Sequence, residues 1–169
     1  MNNKLKIGKV PVSTSLKITG VLFIIALLGV QLYRFYWPSA TISMGGNELR
    51  VQIADNTYRQ HKGLGGRDSL GDYDGMLFIF PSQAKYAFVM RDTRFPIDII
   101  WLSSGQVVDI APSVQPEPMA SEADLKRYSP RKPANMVLET RAGWALEHGL
   151  KIGDQLQVKG DWHPRVKLI

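Results

Sequence analysis

The 169-residue sequence has no cysteine, which excludes disulfides, thiolate nucleophiles and cysteine-ligated zinc or iron–sulfur centres. The fold must be held by its core. Histidine is almost as scarce, with only His61, His148 and His163. None is followed by a second ligand-type residue two or four positions on, so neither a metal site nor a cofactor is expected. A Gly-x-Ser-x-Gly elbow is absent, and Ser103-Ser104-Gly105 reads as a turn. Gly63-Leu64-Gly65-Gly66-Arg67 lacks the Lys-Ser/Thr and the preceding strand of a phosphate loop, and reads as a helix stop. Acidic residues are missing from the first 40 positions, where Lys4, Lys6, Lys9, Lys17 and Arg34 hold five of the 21 basic residues. The other 129 residues are nearly neutral, and their longest basic runs are Lys126-Arg127 and Arg131-Lys132. Nucleic acid is therefore not an expected partner.

What the N-terminus does contain is an uncharged apolar run, Ile18–Tyr33, bounded by Lys17 and Arg34 and followed by Phe35-Tyr36-Trp37. Its 16 residues cover ~24 Å at the helical rise, short of a ~30 Å hydrocarbon core. Snorkelling flanks and interfacial aromatics extend the span to residues 16–37, and Pro38 ends it. Two readings stand, an uncleaved signal-anchor and a cleaved signal peptide. The first is preferred, because Pro38 occupies the −3 position of the only nearby small-residue cleavage site, after Ala40. A buried core helix would need a polar face that this run lacks. Basic residues concentrate before the run, so residues 1–15 are expected in the cytoplasm and 41–169 outside it, on a bacterial cytoplasmic membrane crossed once. The bilayer is the first expected partner and a membrane protein the second.

Beyond the run, residues 40–44 and 48–55 flank Gly45-Gly46-Asn47, and residues 97–102 and 106–111 flank Ser103-Ser104-Gly105; both patterns predict hairpins. Asn56 or Thr57 caps a short helix to about Lys62. Further strands are expected at 75–80, 85–91, 135–140 and 154–159, with a turn at 81–84 and a second helix at 143–150. Five prolines between Pro112 and Pro133 block regular structure there, leaving a lid, a docking surface or an exposed insertion. The expected class is α+β and β-rich, a mostly antiparallel barrel- or sandwich-like domain of about eight strands.

Two acids stand out. Asp98 heads an apolar strand in phase with Ile100 and Leu102, and Glu139 follows Met136-Val137-Leu138; an inward carboxylate needs a partner. Arg59 and Arg67, on or after the first helix, are suited to bidentate pairing. One reading is a ligand cleft of Arg59, Arg67, Asp98 and Glu139, with Asp98 and Glu139 as candidate catalytic acid and base. The other is a set of structural ion pairs. The leading functional expectation is a membrane-anchored binding or accessory module. A small extracytoplasmic enzyme using a carboxylate/arginine cleft is the alternative.

Three stretches in order resemble the bacterial and archaeal family known as domain of unknown function 192. They are Val51–Arg67, with Ile53-Ala54-Asp55 and Gly63-Leu64; Asp74–Trp101, with Gly75-Met76-Leu77-Phe78 and Pro96-Ile97-Asp98-Ile99; and Pro133–Val158, with Val137-Leu138-Glu139, His148-Gly149 and Gly153-Asp154. The resemblance implies a small β-rich domain, often behind a signal or anchor, and no assigned reaction. This chain departs from the family pattern at Gly65, where Met is usual, and at Val89, where Trp is common.

Overall fold

The computed structural model describes residues 14–159. The chain divides into two units, Met1–Tyr36 and Trp37–Ile169. In the first, helix α1 runs Thr14–Phe35, and its 22 residues reach about 33 Å at the helical rise. Ser15–Tyr33 within it is long and apolar enough to cross a membrane. Lys17 lies inside the helix, so the helix is longer than the uncharged run that announces it. The expected tail 1–15 is almost wholly outside the described residues, as are His163 and the end of the 41–169 domain.

The second unit is built on one seven-stranded sheet. Its strands are β1 (Ser39–Met44), β2 (Asn47–Ala54), β3 (Gly75–Ala84), β4 (Ile97–Ser103), β5 (Gln106–Val114), β6 (Ala134–Arg141) and β7 (Leu156–Lys159), with helices α2 (Thr57–Lys62) and α3 (Trp144–Glu147). The order is β5-β4-β6-β3-β2-β1-β7, so seven strands replace the expected eight. Both predicted hairpins form with two-residue loops. Gly45 and Gly46 both take positive φ, as do Ser104 and Gly105, the backbone that matches strand twist in such turns. Ser104 carries this conformation with its N–H donated to Asn135 Oδ1 at 2.7 Å.

All pairs are antiparallel except β2 with β3. A parallel pair needs a crossover, and α2 with the glycine-rich residues 63–74 supplies it. Asn56 Oδ1 caps α2 by accepting from Arg59 N at 2.9 Å, and Gly63 ends the helix at φ 47°. The sheet curls into a half-barrel. At one end its outer strands meet: Val107 N donates to Asp154 O at 2.9 Å, and Leu156 N to Gly105 O at 2.8 Å.

One apolar cluster takes a residue from every strand, including Ile42, Val51, Leu77, Ile100, Val107, Leu138 and Leu156, with Trp144 and Leu150. It is therefore the inside of the curl. A second cluster of Ala54, Leu64, Met76, Phe78, Met90, Trp101 and Val137 covers the outer face.

Residues 85–91 are not a strand, contrary to expectation. β3 already has β2 and β6 as neighbours, so no ladder is free for them. The segment crosses the outer face instead, fixed by reciprocal 2.8 Å bonds between Phe88 and Tyr128 and by Trp101 Nε1 donating to Tyr86 O at 3.1 Å. Its alternation records one side packed on Phe78 and Trp101. The expected turn at 81–84 is the irregular end of β3, where register is lost between Ile79 and Ala84. β5 runs through Pro112, which an edge strand tolerates. The second helix is only four residues long. His148 follows it, stacked on Trp144 at 4.5 Å.

Candidate functional site

Register decides which face each acid occupies. Across the outer face, Gln52 lies beside Met76, Met76 beside Glu139, and Glu139 beside Ile99. Asp98 pairs with Thr140, one position away. Side chains alternate along a strand, so this single step sends Asp98 to the inside of the curl and Glu139 to the outside. The expected Asp98–Glu139 pair does not form.

Asp98, fully buried, accepts three backbone bonds. Ser113 N donates to Oδ1 at 2.8 Å, Gly143 N to Oδ1 at 3.0 Å and Ala145 N to Oδ2 at 2.8 Å. The carboxylate thus ties β5 and the start of α3 to β4, satisfying donors that the helix start leaves open. Its place is structural. Arg59 is buried on α2, where Nη1 donates to Asp55 Oδ1 at 2.7 Å.

Arg67 and Glu139 do come together. Half-buried Arg67 donates Nη1 to Gln52 Oε1, lies 5.1 Å over the Trp37 ring, and interacts electrostatically with Glu139. Glu139 is 5% exposed. Burial pushes its carboxyl from the ordinary 4.5 up to about 8, and the Arg67 charge opposes only part of that rise. Desolvation wins because Arg67 itself is partly desolvated, its own pKa lowered by burial. Oε2 of Glu139 has no hydrogen-bond partner among the described residues. Glu139 is therefore mostly protonated and uncharged at neutral pH.

Above this carboxyl lies a cleft of about 350 Å³. Gly63, Leu64 and Gly65 line it together with Phe78, Phe80, Tyr86 and Phe88, and so do the charged or titratable His61, Lys62, Arg91, Glu122 and Arg127. Phe80 stacks on Tyr86 at 3.8 Å, and Phe88 meets Phe78 edge-on at 4.9 Å. Gln60 Nε2 ties α2 to Ile79 O at 2.7 Å, where β3 leaves its ladder. A Cβ on Gly65 would lie 3.0 Å from the carbonyl oxygens of Lys62 and Arg91, so glycine lets the turn after α2 pack closely on the Arg91 backbone. Gly65 and Val89, the two departures from the family pattern, both line the cleft.

Arg91 and Glu122 form a two-bond ion pair, with Nε to Oε2 at 2.7 Å and Nη2 to Oε1. That pair holds Glu122 well below the usual carboxylate range; His61 and Arg127 add to the effect. A neighbouring cavity of about 440 Å³ shares Arg91, Thr93 and Glu122 with the cleft. The proline-rich residues thus supply walls to both. Sequence reasoning missed Arg91, Glu122, Arg127 and the aromatic wall, because they converge from segments that carry no shared motif. Among the described residues no three His, Asp or Glu side chains gather as a metal site.

Residues 40–158 match the family described as "Uncharacterized ACR", domain of unknown function 192. No curated protein matches. The similar solved structures include the following two. One, a protein of Sinorhizobium meliloti 1021 described as a candidate transcription regulator, is 26% identical over 72% of this chain and 95% of its own, with a TM-score of 0.65. The other, a protein of unknown function from Novosphingobium aromaticivorans DSM 12444, is 30% identical over 75% of this chain and 85% of its own, with a TM-score of 0.61.

Proposed function

The chain belongs to the domain of unknown function 192 family, whose description assigns no reaction, and on that premise we propose a membrane-anchored, extracytoplasmic module that binds a small ligand over Glu139. The observation that carries this reading is the Glu139 carboxyl, buried at the base of a cleft with Oε2 unpartnered. A buried polar group without a hydrogen bond costs about 1–3 kcal/mol. Asp98 shows how the same fold treats an acid with a structural duty, surrounding it with three donors. Oε2 of Glu139 receives none among the described residues, and on this reading a ligand in the cleft completes the bonding of the carboxyl.

Anchoring rests on α1 and on the basic residues before it, which favour a cytoplasmic N-terminus. Residues 16–37 then meet the bilayer of the bacterial cytoplasmic membrane, and the module serves a membrane-protein partner on the outer side. An enzyme is the second reading, favoured by the high pKa of Glu139, which suits a general acid. Its weakness is that Glu122, the other carboxylate among the described residues lining the cleft, is bound to Arg91.

The test is purification of the full chain from bacterial membranes in mild detergent, followed by native mass spectrometry. The expected result is an intact N-terminus and a small-molecule adduct that Glu139→Leu abolishes. A soluble, N-terminally trimmed chain refutes the anchor; an adduct-free chain counts against the binding role.

A further inference from the structure

We propose that the cleft accepts a small organic acid with a flat apolar body, its negative group at the basic rim and an uncharged polar group against Glu139. This rests on the binding-module reading and narrows it to one ligand class.

Charge excludes the alternatives first. Arg91 and Arg127 line the cleft with one carboxylate, Glu122, while the Lys62 ammonium lies over Gly66 beside the Asp92 carboxylate. Arg91 already satisfies Glu122 through two bonds, yet His61 and Arg127 also lie close enough to act on it. The rim therefore holds positive charge beyond what its own acid neutralises. An ammonium ligand meets that excess and finds no counter-charge below, because Glu139 is protonated at neutral pH. A negative group gains charge-assisted bonds at the rim.

Shape selects the body. The stacked Phe80–Tyr86 pair offers aromatic faces in the cleft lining, and Phe88 stands edge-on to Phe80 and Phe78 beside it. Gly63 and Gly65 also line the cleft, with Gly63 close against the Phe78 ring. At about 350 Å³ the space is at the low end of the ~300–1,000 Å³ range of small-ligand sites, which suits a single ring. At the base, a protonated carboxyl pairs with a hydroxyl or carbonyl and not with a second negative charge.

The charged and titratable groups that share the cleft with Glu139 or act on it come from three elements. They are His61 and Lys62 of α2 with Arg67 beyond it, Tyr86 and Arg91 of the crossing segment, and Glu122 and Arg127 of the proline-rich stretch. Between pH 7 and pH 9, deprotonation of Glu139 through about 8 puts a negative charge at the cleft, which opposes an anion. Acid binding therefore weakens over that interval by about tenfold, the fall in protonated fraction for a group at about 8.

The experiment titrates the full chain in non-ionic micelles with three single-ring probes: 4-hydroxybenzoate, the neutral 4-hydroxybenzyl alcohol and the cationic tyramine. Affinity is read by calorimetry, and location by NMR shifts of Gly63, Phe88 and Glu139. At pH 7 the acid is expected to bind about tenfold more tightly than either analogue, the worth of one charge-assisted bond. Arg127→Gln is expected to erase most of that preference and leave the alcohol unaffected. Glu139→Gln is expected to remove the loss at pH 9, and an unchanged loss in that variant overturns the role given to Glu139. Shifts in the cleft with the alcohol or amine bound as tightly as the acid overturn the ligand class and leave the binding module standing. If no probe moves the cleft resonances, the ligand class fails; an adduct in the membrane-purified chain then shows separately whether the binding reading survives.

Discussion

Replacing Glu139 with Gln tests the burial argument independently of any ligand. The side-chain carboxyl titrates near 4.5 when solvated and near 8 in the folded chain. Its folded pKa is raised, so folding takes up a proton between these values and stability falls as pH rises. The stabilisation is fully present below about 4.5 and lost as pH climbs through about 8. At 1.36 kcal/mol per pKa interval, the whole change is on the order of 5 kcal/mol, of which roughly 4 falls between pH 5 and pH 9. With 5% of the residue exposed, solvent screening takes little from this. Glutamine keeps the shape and cannot ionise. The difference in stability between Glu139→Gln and the parent chain should therefore grow in favour of the variant by about 4 kcal/mol from pH 5 to pH 9. For a domain of this size that corresponds to roughly 10–20 °C in melting temperature. Thermal unfolding in a non-ionic detergent, followed by the near-ultraviolet signal of the buried Trp101, reads it directly. A constant offset between the two proteins across that range would refute the claim that Glu139 is buried against its charge.

Two further substitutions separate the faces of the sheet. Asp98→Asn leaves one acceptor oxygen for three backbone donors and points an amide at one of them; a loss of about 2–4 kcal/mol in unfolding free energy is expected, with the pH slope from Glu139 retained. Gly75→Ala places a Cβ 2.4 Å from the Glu139 carbonyl oxygen, forcing β3 and β6 apart. Urea unfolding should show a loss on the order of 2 kcal/mol or more, and cleft resonances should shift with it.

Much of the architecture was legible because its signals are local. Gly45-Gly46 dictates a two-residue turn from its own backbone freedom, and Asn56 caps α2 through a bond three residues away. The apolar segment of α1 declares itself by composition. What failed depended on neighbours. Tyr86, Phe88 and Met90 alternate as a strand does, but the sheet offers no place beside β3. Asp98 and Glu139 were each recognisable as acids in apolar strands. Whether they meet depends on register between β4 and β6, which neither strand encodes by itself. The cleft was least visible, because Lys62, Arg91 and Arg127 belong to separate segments that only the crossover and the proline-rich stretch bring together.

The clasp between residues 105–107 and 153–156, with β1 pairing to β7, has a consequence for the order of events in synthesis. β1 is among the first parts of the domain to leave the ribosome and β7 is the last described strand. Half of β1's ladder therefore stays empty, and the curl open, until nearly the whole chain has emerged. Contacts this distant in sequence form slowly. The curl therefore closes late, only when β7, the last described strand, reaches β1.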